Sequence, residues 1–192
     1  MKRLMMAFIL VALLVAQSDA QSSQNGESLE RAFISGGRVQ LKLSSGDYKV
    51  RAGSDDRIVV RWMGRDALDI DKHVKITISP TTATVKTDGP LRDTKFIVEV
   101  PARSDLHLEM RAGDLTVRGI EGNKDIHMTA GDLDIDVDLA NYSAVHASVT
   151  IGDLDARAIR ISKSGFKRSF DWQGNGTYYL RATLFAGDIT IR

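Results

Sequence analysis

The stretch "AGDLTVRGI", Ala112–Ile120, decides how this chain is read, because it returns as "AGDLDIDVD" (Ala130–Asp138), "IGDLDARAI" (Ile151–Ile159) and "AGDITIR" (Ala186–Arg192). An earlier copy is "SSGDYKV", Ser44–Val50. With Gly46, Gly113, Gly131, Gly152 and Gly187 as fixed points, successive copies lie 67, 18, 21 and 35 residues apart. Before each glycine the residues alternate, as in Leu108, Met110 and Ala112 against Glu109 and Arg111, or Ile126, Met128 and Ala130 against His127 and Thr129. After it the alternation resumes in a phase set by the Gly-Asp pair, with Tyr48, Leu115, Leu133, Leu154 and Ile189 each followed two residues later by another apolar residue. Period-two patterning of this kind is that of strands with one buried face. Each copy is therefore two short strands meeting at a tight corner, where glycine tolerates backbone angles and close approaches that other residues resist.

Such a unit cannot bury its apolar face alone, whereas stacked units share one core. The expected fold is all-β: a parallel β-solenoid or β-roll with two short strands per rung, and like positions ~4.8 Å apart on neighbouring rungs. An antiparallel β-sandwich is the alternative, since its strands also alternate. Between Gly53 and Pro101, "RIVVRWM", "HVKITIS", "TATVKT" and "KFIVEV" keep the alternation without the Gly-Asp corner, and turn signals stand at Ser79-Pro80 and Asp88-Gly89-Pro90. These predict degenerate rungs or hairpins at the amino-terminal end. The 35-residue gap exceeds one rung, and the surplus falls in "SKSGFKRSFDWQGNG", Ser162–Gly176. It reads as a β-excursion with a hairpin turn at Gly174-Asn175-Gly176, capping the carboxy-terminal rung.

The 192 residues divide into three parts. Residues 1–20 read as a signal peptide: Lys2 and Arg3, an apolar run Leu4–Ala16, then Ser18-Asp19-Ala20 before the cleavage point. The apolar run is shorter than the ~20 residues of a spanning helix, so no stable transmembrane segment is expected after cleavage. Residues 21–30 are polar and read as a flexible leader, leaving 31–192 as one β-solenoid domain. An exported protein follows, in the periplasm or outside the cell. There is no cysteine, hence no disulfide framework. Loss of Lys2, Arg3 and Asp19 takes basic residues from 26 to 24 and acidic ones from 25 to 24, so the processed chain is formally neutral. Neutrality argues against nucleic acid and against a cationic face for anionic lipid.

"GGRVQLKLSSGDYKV", "VEVPARSDLHLEMRAGDLTV" and "GNGTYYLRATLFAGDITIR" together resemble the bacterial putative-adhesin family of domains of unknown function, over roughly Phe33 to Arg192. The resemblance implies a β-solenoid in an envelope or exported setting. It brings no catalytic activity and no agreed functional residues.

Three groups are candidates for chemistry. In sequential stacking, Asp132 and Asp134 face Asp153 and Asp155 on the next rung, a four-carboxylate patch that offers some of the oxygens calcium requires. The corner row Asp47, Asp114, Asp132, Asp153 and Asp188 needs either backbone N–H donors or a cation to offset its repulsion. Arg118, Asp136 and Arg157 alternate in sign across rungs and supply ordinary salt bridges. His107 and His146 share an outward position with Asp125 between them and His127 two residues along, but two rungs put the histidines ~9.6 Å apart, wide for one metal ion. Lastly Phe166, Lys167, Arg168, Phe170 and Trp172 on the excursion are read either as a hydrophobic cap or as a partner-binding surface. No Gly-x-Ser-x-Gly, His-Glu-x-x-His, phosphate-loop or dinucleotide pattern occurs. The expectation is a non-enzymatic envelope module without a cofactor, its partner an envelope protein or a glycan. Calcium or glycan binding, or polysaccharide cleavage by paired carboxylates, is the alternative.

Overall fold

The computed structural model describes residues 28–64, 70–89 and 94–192; the signal peptide read in 1–20 lies outside the described residues. Among them are sixteen strands: β1 Ser28–Ala32, β2 Arg38–Leu43, β3 Gly46–Gly53, β4 Arg57–Met63, β5 Val74–Ile78, β6 Thr82–Thr87, β7 Lys95–Pro101, β8 Asp105–Arg118, β9 Lys124–Ala130, β10 Leu133–Ile135, β11 Tyr142–Ile151, β12 Leu154–Ala156, β13 Ile161–Lys163, β14 Phe166–Gln173, β15 Tyr178–Ala186 and β16 Ile189–Ile191. One helical turn, Ile70–His73, and two 3-10 turns complete them. The protein is all-β. Ser28, Leu29 and Glu30, expected in the leader, are already strand.

The strands hydrogen-bond into one large sheet with two arms. The first arm runs β1-β4-β7-β3-β8-β10-β16-β12-β13, and the second β5-β6-β2-β8-β9-β15-β11-β14. The 14-residue β8 passes through both. Central pairings are parallel in each arm, which sets the fold apart from an antiparallel sandwich; antiparallel strands occur only at the ends. Neither arm closes on itself.

At the corner between the arms the glycines stack as Gly46, Gly113, Gly131, Gly187 and Gly152. The last four have φ of +115°, +110°, +127° and +133°. A Cβ on Gly131 would sit 2.0 Å from the carbonyl oxygen of Gly113, and one on Gly187 would sit 1.9 Å from that of Gly131. Both the angle and the approach exclude any other residue, and this is why the phrase repeats.

Side chains inside the corner form continuous columns. One reads Phe96, Tyr48, Leu115, Leu133, Ile189, Leu154 and the next Val98, Val50, Val117, Ile135, Ile191, Ala156, all buried. Burying each Leu or Ile stabilises by about 1.5–3 kcal/mol before entropy is counted. Leu115, Leu133 and Leu154 thus share a column as the repeat predicts, but Ile189 stands between Leu133 and Leu154. The carboxy-terminal rung inserts between its two predecessors in the stack, so the rungs do not follow sequence order.

The excursion explains the insertion. β14 runs antiparallel along one edge of β11, and the Gly174–Gly176 turn is tied back to it through Gly174 N–H to Ser143 O (2.9 Å) and Gly176 N–H to Tyr142 O (3.0 Å). With that edge occupied, β15 enters on the other side, parallel to both β11 and β9. The turn expected to make a hairpin instead places β14 and β15 on opposite sides of β11.

Between Gly53 and Pro101, β6 and β7 run parallel to β2 and β3, β5 pairs antiparallel with β6 at one end of the second arm, and β4 lies antiparallel between β7 and the edge strand β1. A buried hydroxyl cluster replaces the Gly-Asp corner there. Tyr48 OH lies 2.8 Å from Thr87 Oγ1, which also accepts the Ser44 N–H at 2.8 Å. Burial pushes the Tyr48 hydroxyl pKa up, against the pull of hydrogen bonds from Ser44 and Thr87.

Candidate functional site

The corner aspartates follow the same reordered stack: Asp47, Asp114, Asp132, Asp188, Asp153. Asp188 therefore stands between Asp132 and Asp153, and Thr190 between Asp134 and Asp155. The four carboxylates Asp132, Asp134, Asp153 and Asp155 are not on adjacent strands, and their expected patch is split. Asp132 Oδ1 accepts the Asp188 N–H at 3.2 Å and Asp188 Oδ1 accepts the Asp153 N–H at 2.8 Å, so backbone donors offset part of the row's repulsion. Asp134 lies against two guanidinium groups, Arg118 at 2.7 Å and Arg192 at 2.9 Å. Arg118 also reaches Asp136 at 2.8 Å, while Arg157 pairs with Asp155 two residues away on its own chain segment. Arg192 thus takes the neighbouring place that sequential stacking assigns to Arg157. Among the described residues no three His, Asp or Glu side chains are grouped to hold a metal ion.

On the outer face of the second arm, one row of positions reads Thr84, Gln40, His107, Asp125, Arg181, His146, Asp171. Arg181 of the inserted rung separates Asp125 from His146, so the two histidines expected on alternate rungs are further apart still. Asp125 lies 3.4 Å from His107 Nδ1 and 3.0 Å from His127 Nε2, and His146 pairs with Asp171 at 2.6 Å. A wide trough of about 880 Å³ opens on the same face, bordered by Lys42, Lys86, Arg111, His127, Thr183 and Phe185 among others. Its breadth suits an extended ligand lying across strands.

The excursion separates its five candidate residues. Phe170 and Trp172 continue the inward columns beside Ala147 and Val145; Phe170 is buried and Trp172 packs on the core. Arg168, beside Val149, is half-buried and donates from Nε to Ser164 O at 2.6 Å. Only Phe166 and Lys167 face solvent, with the Lys167 Nζ 5.4 Å from the Phe166 ring centre. Phe166 pairs in register with Ile151, and Phe185 lies on the next strand; they are 59%, 50% and 55% exposed. Ile151 and Phe166 form an apolar pair where the cap meets the corner, while Phe185 points to the outer face and borders the trough.

One buried charge escaped the sequence analysis. Lys124 occupies an inward position between Leu106 and Leu180 and is fully buried. Its Nζ donates to Ile120 O at 2.6 Å and contacts the Tyr142 hydroxyl. Burial depresses its pKa to about 8, against the pull of Glu121 and Asp105, and burial likewise pushes the Tyr142 hydroxyl well up. The signal was present in "KDIHMTA": with Ile126 and Met128 inward, the alternation puts Lys124 inward too.

No protein-family model matches the chain, and no curated protein matches its sequence. Solved structures do resemble it. A protein from Clostridium sporogenes ATCC 15579 described as a "putative cell adhesion protein" shares 11% identity at a TM-score of 0.53, over 87% of this chain and 99% of that one. A "putative adhesin" from Bacteroides fragilis NCTC 9343 shares 9% identity at 0.32, over 88% and 98%. A "putative lipid binding protein" from Parabacteroides distasonis ATCC 8503 shares 9% at 0.27, over 88% and 97%. At these identities the likeness is one of fold, and only the first is close enough to speak of a shared one.

Proposed function

We propose that this protein is an exported, non-enzymatic interaction module of the adhesin-like kind, a β-solenoid with an inserted rung that binds an envelope protein or glycan through its outer surface. The observation that carries this reading is the pair Ile151 and Phe166, two large apolar side chains exposed to solvent and in register on adjacent strands beside Lys167, with Phe185 exposed on the opposite, trough-lining face of the neighbouring strand. Contiguous exposed apolar groups rimmed by polar ones mark contact sites more often than they occur without purpose. The trough bordered by Phe185 is a second accessible stretch of the outer face.

The test compares substitution of exposed and of buried aromatic residues. Phe166→Ala, combined with Phe185→Ala, should abolish retention of the protein by cell-envelope fractions while moving stability by no more than about 0.5 kcal/mol each. Phe170→Ala removes a buried ring and should cost about 3–5 kcal/mol. Unchanged retention by the double variant overturns the assignment. Release of new reducing ends from polysaccharide overturns the non-enzymatic part, and a mature protein not beginning at Gln21 overturns the cleavage site.

A further inference from the structure

Formal neutrality conceals a segregation of charge that the stacking creates. The outward positions of β5, β6 and β2 are Lys75 and Thr77, then Thr82, Thr84 and Lys86, then Arg38, Gln40 and Lys42. Four are cations and none is a carboxylate. Lys75 is directly opposite Lys86, and Lys86 directly opposite Lys42, so three lysines form one cross-strand row at ~4.8 Å spacing. Like charges placed opposite one another destabilise a sheet. Of these cations only Lys86 forms an ion pair, with Asp88 at 3.2 Å; Glu109 stands across from Lys42 and Asp105 across from Arg38 on β8, yet among the described residues neither makes an ion pair with them. Lys42, Lys86 and Arg111 border the trough together with Asp88 and Glu109, and its far side carries the hydroxyls of Thr183, Ser148 and Thr150.

We propose that this row binds an acidic polysaccharide lying across the strands, its anionic groups on Lys75, Lys86 and Lys42 and its hydroxyls against Gln40, Thr84 and the trough. Charge complementarity sets the sign of the ligand. The neutral hydrogen-bonding groups between the cations set its class. A single-stranded nucleic acid needs aromatic platforms for its bases, and these eight positions hold none. An anionic bilayer needs apolar side chains that enter it, and these positions hold none of those either. The lysine row lies at the opposite end of the second arm from Phe166, although the trough it borders reaches Phe185. It rests on the preceding reading only in giving a ligand class to a surface-binding protein.

The experiment uses the chain processed after Ala20, with dextran sulfate and polygalacturonate as probes, neutral dextran as control, and oligo(dT) and phosphatidylglycerol vesicles as competitors. The variant is Lys42→Gln, Lys75→Gln and Lys86→Gln together; its control, with the same charge change elsewhere, is Lys49→Gln, Lys95→Gln and Lys163→Gln. Both acidic polysaccharides should bind the wild type with salt-dependent affinity, and the row variant should lose about tenfold or more while the control stays within about twofold. Relief of repulsion should leave the row variant at least as thermostable as the wild type, which separates lost binding from lost fold. Equal loss in both variants, absence of binding by the wild type, or tighter binding of oligo(dT) or of vesicles than of the polysaccharides overturns the proposal. Loss of polysaccharide binding on Phe166→Ala overturns it too, whereas polysaccharide binding that survives Phe166→Ala leaves this site standing, and envelope retention that then also survives removes only the Phe166 surface.

Discussion

Replacing Gly131 with alanine tests the stack at its narrowest point. The residue has φ +110°, where an L side chain costs about 1–2 kcal/mol, and the new methyl would lie 2.0 Å from the Gly113 carbonyl oxygen. Relief requires the rungs to part, which weakens Gly131 N–H to Ala186 O at 2.9 Å and Leu115 N–H to Asp132 O at 2.9 Å. At about 0.5–1.5 kcal/mol for each bond, the total reaches about 2–5 kcal/mol. For a domain of this size that is a fall in Tm of roughly 4–20 °C. Gly36→Ala is the matched control, because Gly36 also has positive φ, +82°, but nothing lies within 4 Å of an added Cβ. It should cost only the conformational part, about 1–2 kcal/mol. Thermal unfolding followed by far-ultraviolet circular dichroism measures both. Equal losses in the two variants would refute the claim that close stacking, and not backbone angle alone, demands glycine at the corner.

Two further outcomes follow from the buried charge and the split carboxylates. Lys124 has a folded pKa of about 8 against an ordinary 10.5, so the unfolded chain binds more protons between those values and stability contributed at this site rises with pH. Wild type should therefore gain up to about 3 kcal/mol relative to Lys124→Met from pH 8 to pH 10.5, and a pH-independent difference in denaturant midpoints would show that burial does not depress the lysine's pKa. Millimolar calcium should raise Tm by less than about 1 °C, since Asp188 separates Asp132 from Asp153 and two arginines already hold Asp134; a larger, saturable rise would mean that the corner row takes up the ion.

Much of the site was legible in part. Alternation alone puts Lys42 and Lys86 outward and Lys124 inward, yet which strand lies beside which is a long-range matter, so three lysines more than thirty residues apart at the extremes could not be seen as one row. The same limit hid Arg192 beside Asp134. The excursion shows the converse: period two distinguishes Phe170 and Trp172 from Lys167, but whether an aromatic beyond the last rung covers the core or faces solvent depends on where β14 docks.

The residues themselves dictate the rung: apolar alternation selects strands, and a glycine that must accept positive φ and a carbonyl at contact distance selects the corner. The order of rungs is another matter. Gly187 fits between Gly131 and Gly152 because every rung presents nearly the same inward apolar pair and the same corner, so local pattern makes the units interchangeable. Only the path of the connecting chain, with β14 occupying one edge of β11 and forcing β15 to the other, chooses among the permutations.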